Sequence, residues 1–138
     1  MLHIKKIKPL FTTVITTGDR YAEDMYDNGI ITFKKGELKF YQKVVAIGSM
    51  VRDIQVGDTV MIDPINYMVR RYDKNSLQND IDNNPVIKLN FNWVTLDDEN
   101  GNPKDCLMLN DRDIKFVFEG EETNDKIIVP DKPKIIVN

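Results

Sequence analysis

The chain has 138 residues, 41% of them hydrophobic and 30% charged, and a formal net charge of −3. This length and hydrophobic content suit one compact domain with a core of its own. The net negative charge argues against sequence-independent binding of nucleic acid, which needs a concentrated basic surface. The single cysteine, Cys106, excludes an internal disulfide, and no apolar run is long enough to span a bilayer. Residues 1–6 lack the apolar core of a signal peptide, so we expect a cytoplasmic protein without nucleic-acid or membrane partners.

The first predicted elements are two β-strands. Residues 4–10 carry apolar side chains separated by lysines, and Pro9 cannot donate to a central ladder, so this stretch predicts an edge strand. Residues 12–17 are β-branched throughout, which disfavours a helix because such side chains lose rotamer freedom there. They predict a strand that ends at Gly18.

The next segment is polar and then turns abruptly hydrophobic. Residues 19–28 carry four acids and one arginine with little apolar periodicity, so they have little to bury, and we expect either a mobile loop or an ordinary surface loop. A short apolar anchor follows, made of Gly29, Ile30, Ile31 and Thr32. Such an anchor suits docking, because burial against a partner would offset the entropy lost on ordering the loop. The alternative is that these residues form another strand of the main fold.

Two β-rich runs, 44–47 and 59–62, flank glycines that break any helix. They predict two strands joined by a turn. Alternation in the second run places Val60 and Ile62 on one face of the sheet and the side chains between them on the other.

The remaining elements extend the β pattern. An Asn/Asp-rich insertion at 66–90 predicts an extra hairpin or a flap that faces a partner. Residues 91–96 alternate and carry the only tryptophan, Trp93, which we expect in the core. A turn at 97–103 leads to a returning strand and then to a last strand at 113–118. The density of short β-branched runs between Gly, Asn and Pro turns predicts an all-β protein with a small, partly closed barrel.

The C-terminal tail, 123–138, contains a small repeat, because Lys-Ile-Ile-Val occurs twice. Its apolar, β-branched edges lie beyond the last strand of the predicted domain, so we expect them to pack against a neighbouring subunit or another protein. The residues predicted to make these contacts are Ile127, Ile128, Val129, Ile135, Ile136 and Val137.

The sequence offers no constellation for catalysis. The only histidine, His3, is near the N-terminus, and Cys106 is in a predicted strand, so a Cys–His pair would need an improbable approach. The two serines do not occupy a nucleophile elbow. The acidic runs at 80–85 and 97–108 depart from the calcium-loop pattern at the glycine or glutamate positions. We therefore predict a protein that is not an enzyme and that needs no metal or cofactor.

Four short motifs occur in the order typical of one family. They are Lys8-Pro9-Leu10 with Val14-Ile15, Gly29-Ile30-Ile31, Val44-Val45-Ala46-Ile47-Gly48 followed by Val56-Gly57-Asp58-Thr59-Val60, and Leu107 to Ile114. In these respects residues 7–119 resemble the GroES-like co-chaperonin family. The resemblance implies a GroES-like barrel domain at 1–122 with a mobile-type loop at 18–36. It also implies a ring-forming homo-oligomer that docks on a chaperonin through that loop and assists protein folding.

The chain departs from the family in two places. Only a short connection links Gly48 to Val56, where many cellular co-chaperonins have a longer hairpin, and this favours a bacteriophage-type relative in the host cytoplasm. The insertion and the tail have no counterpart in the family. They favour an alternative, a structural virion protein such as an auxiliary capsid component, which would use the insertion and the tail as clamps on capsid-type neighbours.

Overall fold

A computed structural model describes residues 1–71 and 86–128 of the chain. The described strands are β1 (Thr13–Thr17), β2 (Met25–Asp27), β3 (Ile30–Phe33), β4 (Tyr41–Ile47), β5 (Thr59–Ile62), β6 (Met68–Arg71), β7 (Val86–Leu89), β8 (Asn92–Asp97), β9 (Pro103–Asn110) and β10 (Ile114–Phe118). Two 3₁₀ turns, Ile65–Tyr67 and Asp111–Asp113, accompany them. The all-β class predicted from the sequence is confirmed.

The chain divides into two compact units. Within its described part, the first comprises residues 1–18 and 40–118, and the second comprises residues 19–39 and 119–128. The first unit contains a six-stranded sheet in the order β10-β5-β4-β1-β9-β8. Each strand of this sheet pairs antiparallel with its neighbours.

The six-stranded sheet does not close into a barrel, so the barrel part of the prediction is not supported. The outer edge of β8 meets the N-terminal segment, where Ile4 forms a single parallel bridge with Leu96. The edge strand predicted at 4–10 is absent, since this bridge is the only β-structure there. Pro9 has no N–H for a ladder, and the lysines around it favour water, which explains why the contact ends after one bridge.

The core lies around β1, β4 and β5. Val14, Val44, Ile54 and Val60 are buried together. In β5, Val60 and Ile62 are buried whereas Thr59 and Met61 are only partly covered, so the predicted alternation is confirmed. Burying such side chains contributes roughly 1.5–3 kcal/mol each, before the conformational entropy cost is subtracted.

Trp93 is not a core residue, which corrects the sequence-based expectation. Its side chain is 39% exposed on β8, the last strand of the sheet. The indole ring lies against Gly18, where an added Cβ would be 2.6 Å from Cζ3. Among the described residues, the outer edge of β8 is met only by the N-terminal segment near Leu96, and this leaves part of the large Trp93 ring in water.

The insertion forms a hairpin in which β6 pairs antiparallel with β7, from Met68 opposite Leu89 to Arg71 opposite Val86. The rest of the insertion, at 72–85, lies outside the described residues. This agrees with the hairpin that the sequence predicts, while a partner-facing role stays a prediction.

The second unit is built on the β2–β3 hairpin. Asn28 and Gly29 have φ angles of 50° and 83° and form a two-residue turn between Asp27 and Ile30. Two positive φ angles define the turn type whose twist matches a hairpin. Tyr21 stacks on Phe33 at 4.9 Å between ring centroids and is buried. The segment therefore has more to bury than the mobile or surface loop expected from its polar composition.

Candidate functional site

The groups considered for catalysis make contacts that fit a structural role. His3 Nδ1 lies 3.3 Å from Asp97 Oδ1 at the surface, and the thiol of Cys106 is buried in β9. Asp98 Oδ1 accepts hydrogen bonds from the N–H groups of Asn100 and Asn102, so this carboxylate closes a turn. Over residues 1–71 and 86–128, no three His, Cys, Asp or Glu side chains are grouped as a metal site would require.

The most elaborate polar cluster surrounds the buried carboxylate of Asp113. Its Oδ1 accepts a hydrogen bond from Asn66 Nδ2 at 3.0 Å, and its Oδ2 accepts from Tyr67 Oη at 2.5 Å and from the Asn110 N–H at 3.0 Å. Burial, followed by the hydrogen bond and the charge of Asp113, raises the pKa of Tyr67 well above its ordinary value. A phenol with a raised pKa stays protonated at neutral pH and is a poor general base. We interpret the cluster as an anchor for the 3₁₀ turn that leads into β6.

A groove of about 600 Å³ lies beside β10. Its charged lining consists of Arg52, Asp53, Asp111, Arg112 and Lys115, and its apolar lining includes residues of β10. The two carboxylates offset most of the charge of the three cations, so the groove lacks the concentrated positive potential of an anion site.

A different feature stands out in the second unit, where four isoleucines face water. The exposed fractions are 70% for Ile30, 47% for Ile31, 76% for Ile127 and 69% for Ile128. Ile30 and Ile31 begin β3, and Ile128 lies against the turn, because an added Cβ on Gly29 would be 2.5 Å from its Cγ1. Ile30 and Ile31 are consecutive in a strand, so their side chains leave the hairpin on opposite faces, and the four isoleucines lie around the turn instead of sharing one flat face. We call them the isoleucine surface. Exposed apolar residues gathered in one place are typical of an interaction site.

The isoleucine surface is held together by what we call the C-terminal segment, residues 122–128. Its Asp125 donates a backbone N–H to Tyr26 O at 3.0 Å and accepts from the Gly29 N–H at 3.0 Å. The side chain of Asn124 accepts from the Tyr26 N–H at 2.9 Å and donates to Asp24 O at 3.1 Å. These bonds use the backbone edge of β2 that β3 leaves free.

Two further side-chain contacts join the C-terminal segment to residues 21–23. Tyr21 Oη donates to Glu122 Oε2 at 3.1 Å, and Lys126 Nζ lies 3.8 Å from Glu23 Oε2. The Lys126–Glu23 pair is exposed and contributes little on its own. Asn124 and Asp125 thus make the main attachment, and the sequence analysis did not identify them. The sequence did contain a signal for β2, the strand to which these two residues attach, because Asn28-Gly29 is a typical two-residue turn of a β-hairpin.

The structure brings together only some of the predicted site residues. Gly29 is in the hairpin turn, and Ile30, Ile31 and Thr32 are in β3, where Thr32 Oγ1 donates to Met25 O. Ile127 and Ile128, predicted to contact other subunits, lie beside this hairpin within the same chain. The other predicted tail contacts, Val129, Ile135, Ile136 and Val137, lie outside the described residues.

Comparison with known proteins adds no assignment. A scan against protein-family models finds no match for this chain, and a search of the curated proteins also finds none. Within the part of the chain that the structure describes, no helix has both the length and the apolar character needed to cross a membrane.

Proposed function

We propose that the protein is a ring-forming, co-chaperonin-like homo-oligomer that docks on a chaperonin through the β2–β3 hairpin and thereby assists protein folding. The observation that carries this proposal is the exposure of Ile30 and Ile31 on a short hairpin beside a polar stretch. The order of the four motifs that resemble the GroES-like family supports the same function. The protein acts by binding, in the host cytoplasm if it comes from a bacteriophage.

Burial of Ile30 and Ile31 against a partner would supply a modest binding free energy per subunit. Complete burial of an isoleucine side chain contributes roughly 1.5–3 kcal/mol, so the exposed fractions of Ile30 and Ile31 together offer about 2–3.5 kcal/mol per subunit. This is too weak for a stable complex of single subunits. A ring presents several hairpins at once, and multivalent contact raises the overall affinity by orders of magnitude.

The test compares the wild-type protein with the double variant Ile30→Asp/Ile31→Asp. Native mass spectrometry, with and without a chaperonin and nucleotide, measures the oligomer and its complex. We expect a wild-type ring that binds the chaperonin and a variant ring that does not, because a buried carboxylate must be desolvated.

The matched control is Met50→Asp/Val56→Asp, which places the same charges at side chains that are 60% and 61% exposed in the first unit. The control is expected to bind like the wild type. Loss of binding in both double variants would show a general effect of charge and would contradict docking through the hairpin.

A structural role in a virus particle is the second candidate. The insertion hairpin favours it, because Met68 and Val69 of β6 are both exposed apolar residues. Such a hairpin could clamp a capsid-type neighbour. A monomer that ignores the chaperonin but co-sediments with purified particles would support this function over the first.

A further inference from the structure

We propose that the C-terminal segment and the β2–β3 hairpin form one preorganised docking surface, built for a partner whose apolar groove is bordered by basic side chains. This inference rests on the proposed function, since the partner is taken to be the chaperonin. It adds Ile127 and Ile128 to the contact, and it assigns Asn124 as the positioning residue that holds the two pieces together.

The first argument is that the C-terminal segment does not cover the hairpin's apolar residues. With the segment bound along β2, Ile30 remains 70% exposed, and Ile127 and Ile128 remain 76% and 69% exposed. A segment that served to shield the hairpin would have buried these side chains. It adds exposed apolar area next to the turn instead.

The second argument concerns preorganisation. An isolated two-stranded hairpin is marginally stable in water. Here the free edge of β2 is satisfied by Asn124 and Asp125, which bond to Tyr26 and Gly29 on opposite sides of Asp27. Ordering the hairpin before binding lowers the entropy lost when the partner arrives, and preorganisation of this kind increases affinity without new contacts.

The third argument is charge. Residues 19–28 carry four acids and one arginine, and residues 119–128 carry four acids and one lysine. The acids are Asp19, Glu23, Asp24, Asp27, Glu119, Glu121, Glu122 and Asp125. Two of these acidic residues lie beside the isoleucine surface at the turn, because Asp27 is opposite Ile30 and the Asp125 carbonyl accepts from the Gly29 N–H. Asp24 lies instead at the open end of the hairpin, where its Oδ1 accepts from the Lys35 N–H. A complementary partner carries basic side chains beside its apolar groove, which steers association and makes it depend on salt.

The experiment uses the full-length protein and a purified chaperonin with nucleotide, and it measures Kd by calorimetry. Ile127→Ser/Ile128→Ser removes apolar area and is expected to weaken binding at least tenfold. Asn124→Ala keeps every isoleucine but removes the two side-chain hydrogen bonds that tie the C-terminal segment to Tyr26 and Asp24, and it is expected to weaken binding about three- to tenfold. Met50→Ser/Val56→Ser is the matched control and should leave Kd unchanged. Raising the salt from low to physiological concentration should weaken wild-type binding several-fold.

A second readout separates positioning from a general loss of structure. Hydrogen exchange of the free protein should show protected amides at Tyr26 and Gly29. Asn124→Ala should lose the protection of Tyr26, whose N–H donates to the Asn124 side chain, while the amides of β1 stay protected. Exposure of the β1 amides in this variant would show that Asn124 supports the fold as a whole and would overturn its positioning role.

The outcomes distinguish the inference from the function on which it rests. If wild-type protein binds, Ile30→Asp/Ile31→Asp does not, and both C-terminal variants bind like the wild type, the docking function stands and the joint surface is refuted. If wild-type protein does not bind any chaperonin, the proposed function fails, and the joint docking surface falls with it.

Discussion

Replacing Asp113 by alanine should destabilise the protein more than any other single change at a carboxylate among the described residues. The buried side chain accepts hydrogen bonds from Asn66 Nδ2, Tyr67 Oη and the Asn110 N–H. Removing it leaves these three donors without that acceptor. An unsatisfied buried donor costs about 1–3 kcal/mol, and partial access of water to Asn66 and Tyr67 reduces their share, so we expect a loss of about 3–5 kcal/mol.

The assay is chemical and thermal unfolding followed by circular dichroism. For a domain of this size, a loss of about 3–5 kcal/mol corresponds to a fall in Tm of roughly 10–20 °C. Asp111→Ala is the matched control, because this carboxylate lies in the same 3₁₀ turn but is not buried. It should change stability by less than about 1 kcal/mol. Equal Tm values for the two variants would refute the anchoring role of Asp113.

Two further predictions concern stability. Tyr67→Phe should make the stability of the protein less sensitive to alkali. Folding raises the pKa of the Tyr67 phenol, so the stabilisation it provides is complete below its unfolded pKa of about 10. As the pH rises beyond that value, the phenol ionises more readily in the unfolded chain and this stabilisation is lost. Urea unfolding at pH 8 and pH 11 measures the difference, and an equal loss of stability in wild type and variant would contradict it. Gly48→Ala should cost more than about 2 kcal/mol, since the added Cβ would lie 2.2 Å from a backbone carbonyl oxygen of Phe11, and backbone cannot move aside as a flexible side chain can. Thermal unfolding of the variant measures this loss, and an unchanged Tm would contradict the clash.

The strands could be predicted where their own side chains dictate them. The β-branched run at 13–17 and the alternation at 59–62 are local patterns of period two, and both became strands of the main sheet. The hydrophobic step at Ile30 was also visible, and it begins a strand. The polar stretch before it was expected to be a loop with little to bury, because composition gives no sign that Tyr21 will stack on Phe33.

The candidate site was only half visible in the sequence. Its two apolar pairs, Ile30-Ile31 and Ile127-Ile128, stand out from their polar surroundings in the sequence. They are almost a hundred residues apart, however, and no local pattern indicates that they belong to one structural unit. Trp93 illustrates the same limit, because its size predicts burial while its exposure depends on β8 being the last strand of the sheet.

The sequence alone thus determined the all-β class and the β-branched strands, because period-two alternation and β-branched side chains act over a few residues. It left open whether Ile30 and Ile31 form an exposed anchor or a strand of the main fold. Only the tertiary structure decided the strand order, the places of β8 and β10 at the two ends of the sheet, and the attachment of Asn124 to Tyr26. These features depend on which segments, distant in sequence, form hydrogen bonds with each other's backbone N–H and C=O groups. That selection is made by the folding of the whole chain, since every free strand edge could in principle pair with several others.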